Sequence, residues 1–136
     1  ARRAAYLDAA KSKVSDTANV LLSDMGLAPV EIEIGATGKR STLTANAGGV
    51  DVLAMSGAER LIYGVALLHA FQEMSTAPCP VMFIEAAELD DAMLGKFLES
   101  MSTNRTVGNV FVGHWSQPVI YPSSISNHVF GAEVVC

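Results

Sequence analysis

Residues 2 to 25 contain neither glycine nor proline and set Leu7, Ala10, Val14, Leu21 and Met25 near helical spacing, which predicts one helix ended by Gly26 as its C-cap. From Pro29 the period changes to two. Val30, Ile32 and Ile34 alternate with Glu31 and Glu33, and Ser41 to Thr44 follow a polar turn, so a hairpin with one face in water is expected. Asn46 to Gly49 predicts a second turn, and Val50, Val52 and Leu53 predict a third short strand running into Met55. After Ser56 an apolar helix is expected to about Met74, with Leu61, Ile62, Val65, Leu68 and Phe71 on one face and alanines broadening it, so that most of its sides need cover. Ser75 to Pro80 reads as a loop, and Val81 to Ile84 is a continuous apolar run of the kind found in strands buried on both faces. Leu89 to Met101 has a helical stripe at Leu89, Met93, Leu94, Phe97 and Leu98; Val107 to Val112 predicts another buried strand, and His128 to Val135 a last one.

Strand, helix and strand in succession after residue 80 form the pattern of a parallel α/β layer, preceded here by a small antiparallel block. A chain of 136 residues fits one domain and one core. Half of the residues are apolar and 17% are charged, a globular composition. The net charge of -5 gives no general attraction to nucleic acid, although Arg2, Arg3, Lys11 and Lys13 gather near the N-terminus as candidates for local phosphate contact. Cys79 and Cys136 form neither a disulfide framework nor a zinc pattern, and no secretory leader is visible, so a reducing, cytoplasmic setting is expected. No apolar run approaches the ~20 residues of a membrane span, and no membrane partner is expected. The first residue is Ala1, followed by two arginines, and the chain is expected to be a fragment.

Candidate chemistry begins at Met55-Ser56-Gly57-Ala58-Glu59-Arg60-Leu61. Ser56-x-x-Glu59 is a capping box, in which the hydroxyl accepts from the Glu59 amide and the carboxylate reaches back to the Ser56 amide. The same helix terminus carries free amides and about half a positive charge, so it also suits an anion. Gly35 to Ser41 imitates a phosphate-binding P-loop but has the wrong glycine spacing, Arg40 after the lysine and a strand following, so it reads as a turn. His69 reads as a packed histidine, and no metal site is expected. Ligands of parallel sheets gather at the carboxyl ends of the strands, where this chain places Glu85 and His114.

Four separated pieces together resemble the C-terminal lobe of an ABC-type ATPase head, of the kind found in SMC proteins, RecF and the SMC-like double-strand-break repair ATPases. Met55 to Arg60 resembles the Leu-Ser-Gly-Gly-Glu-Arg signature motif, Val81 to Glu85 the Walker B strand, Leu89-Asp90-Asp91 the D-loop, and Val110 to His114 the strand and switch histidine. The resemblance covers nearly the whole chain. It implies an α/β fold that forms the C-lobe of a P-loop NTPase, with 1–25 as the end of a coiled-coil arm or an edge helix, 29–54 as hairpins and 55–136 as the motif-bearing region.

In that family ATP is sandwiched between two heads. The resemblance implies that Ser56, Gly57, Ala58 and Glu59 meet a γ-phosphate in trans, that Glu85 polarises the attacking water, that His114 bonds the phosphate, and that Asp90 or Asp91 couples the two sites. ATP and Mg2+ would be held mainly by an N-terminal lobe bearing the P-loop. Partners would be that lobe, a second head and DNA, with roles in DNA repair, recombination or chromosome maintenance near the nucleoid. This chain alone would be inactive.

Two departures bear on hydrolysis. The family's strand ends Asp-Glu, but here Ile84 replaces the aspartate if Glu85 is the catalytic acid, or Ala86 replaces the glutamate if Glu85 stands for the aspartate. Ala58 replaces the second signature glycine. A head-like lobe that binds a partner lobe or DNA without hydrolysis is the alternative. A Rossmann-like enzyme using Glu85 and His114 as acid and base is a third reading, for which the chain has no glycine-rich fingerprint.

Overall fold

The computed structural model describes residues 2–37, 40–77, 81–104 and 109–114. Its elements are α1 (Arg2–Asp24), β1 (Val30–Thr37), β2 (Arg40–Ala47), β3 (Val50–Asp51), α2 (Gly57–Met74), β4 (Val81–Glu85), α3 (Asp91–Asn104) and β5 (Asn109–Gly113). The antiparallel sheet runs β1-β2-β3, and β4 pairs with β5 in parallel. The chain is thus α/β, with the antiparallel block in front and a parallel pair flanked by helices, as the hydrophobic pattern predicts. The expected strand at His128 to Val135, the P-loop-like Gly38-Lys39 and both cysteines lie outside the described residues.

Helix α1 ends where its sequence loses helical cover. Gly26 takes φ +70°, and the Gly26 and Leu27 amides donate to the Ser23 and Leu22 carbonyls at 2.9 and 3.0 Å. This paired closure satisfies the last carbonyls and needs the left-handed conformation that glycine adopts without strain. Val14, Ala18, Leu21 and Leu22 are buried against α2, while residues 2 to 9 are exposed on every side. Leu7 therefore departs from the expected stripe, because the core begins only at the second half of the helix.

The β1–β2 register runs without a bulge from Val30↔Ala47 to Thr37↔Arg40. Gly48 and Gly49 have φ of +58° and +80°, the two successive positive values that a two-residue hairpin turn favours. The third strand is shorter than its pattern suggests. Asp51 accepts the Leu53 amide at 2.8 Å and starts a 3-10 turn over Val52–Ala54, so the local side-chain bond ends the ladder.

In α2 the buried face is Ile62, Tyr63, Val65, Ala66, His69 and Ala70, whereas Leu68 and Phe71 are about half exposed. The expectation of cover on most sides is therefore not met by that second stripe. Three fully buried alanines, Ala18, Ala66 and Ala70, keep side chains short where α1 and α2 meet. Phe97 is the largest fully buried side chain among the described residues, and Ser100, also buried, donates to the Leu21 carbonyl at 3.1 Å to tie α3 to α1.

The strand β4 departs most from its pattern. Met82 and Ile84 are buried, but Phe83 is 79% exposed and stacks on Phe111 of β5 with ring centroids 5.2 Å apart. Among the described residues only one face of the parallel pair is packed.

Candidate functional site at the start of α2 and the ends of β4 and β5

The start of α2 is held as its sequence predicts. Ser56 is the N-cap; its hydroxyl donates to Glu59 Oε2 at 2.9 Å and accepts the Glu59 amide at 3.4 Å, and its amide donates to the same carboxylate oxygen at 3.2 Å. Among the described residues no hydrogen bond involves the Gly57 or Ala58 amide. These two first-turn donors, with the helix dipole behind them, give the terminus its capacity for an anion.

The β4–β5 ladder places Glu85 opposite Gly113, so Glu85 and His114 lie at the carboxyl ends of neighbouring strands. The turn beyond β4 is built on backbone bonds. The Ala86 amide donates to the Gly113 carbonyl at 2.8 Å, the Leu89 amide to the Ala86 carbonyl at 3.1 Å, and the Ala87 amide to Glu85 Oε1 at 3.0 Å. His114 closes the same turn: its Nε2, 2.7 Å from the Leu89 carbonyl, carries the proton and donates it, since a carbonyl only accepts. Asp90 caps α3, accepting the Met93 amide at 2.7 Å, and Asp91 is the first helical residue.

A side chain that the motif pattern does not single out reaches the start of α2 from the loop after β4. The Glu88 carboxylate lies directly against Gly57, where an added methyl group would collide with it. Through this contact the Ser56 and Gly57 terminus lies against the loop that follows β4. No local sequence signal marks this contact, because it joins residues 31 positions apart through the fold.

Glu85, Glu88, Asp90 and Asp91 are exposed, and no cluster of three metal-binding side chains exists among the described residues. Ile84 and Ala86, the positions flanking Glu85, are both buried apolar residues, so the strand end offers a single carboxylate. His69 is packed as expected, 2% exposed, with Nε2 3.8 Å from Glu73 Oε1 and Nδ1 without a partner among the described residues. Tyr63, at the second turn of α2, donates to the Ala28 carbonyl at 2.7 Å; burial and then the nearby Glu59 charge raise its pKa. Of the basic candidates on α1, Arg2, Arg3 and Lys13 are exposed, and the half-buried Lys11 is paired with Asp8 at 3.0 Å. No helix among the described residues is long and apolar enough to cross a membrane.

The capped start of α2 thus abuts the loop after a parallel strand, with an acid and a histidine at the ends of adjacent strands. Comparison with solved structures places the fold more narrowly. An SMC ATPase from work on ATP-driven dimerisation and DNA-stimulated activation matches with TM-score 0.56 and 17% identity, over 77% of this chain and 68% of that one. An Smc head domain with an extended coiled coil, derived from Pyrococcus furiosus and bound to the C-terminal domain of ScpA, matches with TM-score 0.54 and 18% identity, over 79% of this chain and 28% of its own. An Smc head bound to the C-winged helix domain of ScpA matches with TM-score 0.53 and 17% identity, over 77% and 33%. No protein-family model matches the sequence, and no curated protein matches it significantly. The chain has the fold of part of an SMC ATPase head, and it spans about a third or less of the two Smc head chains.

Proposed function

We propose that this chain is the C-terminal half of an SMC-like ATPase head, whose α2 terminus grips the γ-phosphate of an ATP held by the P-loop of another head. The carrying observation is the contact by which the Ser56 and Gly57 terminus lies against the loop after β4. A phosphate brought to that terminus from outside would meet the Ser56 hydroxyl and the Gly57 and Ala58 amides together. The donors fit the group once Glu88 turns away, which is easy for an exposed side chain, and once the Ser56 hydroxyl exchanges Glu59 for the ligand.

In this reading ATP supplies the phosphoanhydride, and the chain's own residues bind and orient. Glu85, exposed at the strand end, would accept a proton from an attacking water. His114, fixed by the Leu89 carbonyl, would position the loop that carries Asp90, and through it the contact with the opposite head. Mg2+ does not fit this chain's residues, because the position before Glu85 is the buried Ile84; any metal would be held by the P-loop lobe.

The exposed, stacked rings of Phe83 and Phe111 on one face of β4 and β5 support an N-terminal lobe as the partner that covers it. DNA contact through Arg2, Arg3 and Lys13 belongs to the assembled head, and a role in DNA repair, recombination or chromosome maintenance follows only from that assembly. The single carboxylate at the strand end favours a second reading, a head that closes on ATP without turning it over. Sedimentation of the chain with its P-loop lobe, with and without ATP, tests the proposal. ATP-dependent association is expected, and ATP turnover by this chain alone would overturn it.

A further inference from the structure

Among the described residues strand β1 has a strand partner on one side only, since the sheet order is β1-β2-β3. The direction of its free groups is set by Asn19. The Asn19 Oδ1 accepts the Val30 amide at 2.7 Å and its Nδ2 donates to the Val30 carbonyl at 3.3 Å, so both Val30 groups point away from β2. Antiparallel ladders alternate inward and outward pairs. Ile32 and Ile34, two and four residues on, therefore also direct their amides and carbonyls outward, while Glu31, Glu33 and Gly35 bond β2. Asn19 completes the first rung of a ladder that no element among the described residues continues.

The usual protections of such an edge are weak here. The strand is eight residues long, has no proline, and pairs with β2 without a bulge. An open groove of about 440 Å³, lined in part by Lys11, Ile32, Ile34, Gly35 and Thr42, borders it. The side chains select what would fit. Glu31 and Glu33 are exposed with the half-buried Ile32 between them, and Lys11 is already paired with Asp8. A second copy of β1 placed antiparallel about Ile32 would set Glu31 opposite Glu33 of the other copy, an unfavourable pairing.

We propose that the outer edge of β1 at Ile32 and Ile34 is a strand-addition site for an extended segment of a partner chain in which two basic residues flank an apolar one. Backbone bonds to Ile32 and Ile34 give the affinity, and the two glutamates choose the sequence.

The test uses the chain labelled with nitrogen-15 and a ten-residue peptide of alternating lysine and valine, with a glutamate and valine peptide for comparison. At saturation, amide exchange at Ile32 and Ile34 should slow by about tenfold or more, as for newly formed ladder bonds. The acidic peptide should bind at least about fivefold more weakly, from two reversed cross-strand charge pairs. Ile34→Pro, tolerated where the amide faces outward, should weaken the basic peptide. The double substitution Glu31→Lys with Glu33→Lys should reverse the preference, and it serves if the proline variant fails to fold. Equal affinity for the two peptides, or binding without protection at Ile32 and Ile34, would overturn the proposal. Protection in the chain alone that grows with protein concentration would assign the edge to a second copy and overturn it as well.

Discussion

Ser56→Asp separates the two roles of the α2 terminus. Ser56→Ala removes the 2.9 Å and 3.4 Å hydroxyl bonds to Glu59, and the loss of such a cap costs about 1 kcal/mol. An aspartate caps as well as serine, and its charge gains roughly 0.3–1 kcal/mol from the helix dipole. Against this stands repulsion from the Glu59 and Glu88 carboxylates, about 1 kcal/mol for charges ~4 Å apart in water. Stability should therefore stay within about 1 kcal/mol of the parent, read from the midpoint of urea unfolding at unchanged slope. A phosphate at the same place would meet the new carboxylate, so ATP-dependent association with the P-loop lobe should fall at least about tenfold, equivalent to 1.4 kcal/mol. A stable Ser56→Asp variant that associates as well as the parent would refute the phosphate-facing role. A loss of more than about 2 kcal/mol in that variant would refute the capping account.

Other substitutions test the remaining parts of the structure. Asn19→Ala leaves the Val30 amide and carbonyl without their partner beside a buried side chain, and should lower unfolding free energy by about 1–3 kcal/mol, with Asn19→Asp losing less. Phe83→Asp should cost the chain alone only about 0.5–1.5 kcal/mol for the lost ring stacking, yet abolish pairing with the N-terminal lobe in a pull-down. Tyr63 has a pKa raised above the ordinary tyrosine value of 10.0, so the folded state keeps its proton longer than the unfolded state does. Its contribution is complete below pH ~10 and declines as pH rises through the folded value; Tyr63→Phe should lose about 1 kcal/mol at neutral pH and show a shallower alkaline decline in thermal melts.

The local features were legible in the sequence because they depend on near neighbours. The Ser56 and Glu59 box, the closure at Gly26 and the Gly48-Gly49 turn each arise from side chains or φ values within a few residues. The alternating pattern of β1 likewise fixed its face and register, since a slip of one residue would turn Val30 out of the core. Features that depend on distant packing were not legible. The run Val81 to Ile84 reads as doubly buried whether or not its second cover is present, so the exposure of Phe83 emerged only from the fold. Leu7 fits the helical stripe of α1 but lies before the point where α2 meets it. Glu88 looks like one more loop acid, and only the tertiary arrangement sets it against Gly57. The Leu89 carbonyl that holds His114 has no sequence signature at all.

Whether the α2 terminus faces a phosphate held by another lobe is tested most directly by the amide resonances of Gly57 and Ala58 in the chain mixed with its P-loop lobe. Addition of a non-hydrolysable ATP analogue should shift both resonances, and the shift should require the P-loop lobe. Complex formation that leaves Gly57 and Ala58 unmoved, with or without the analogue, would contradict it.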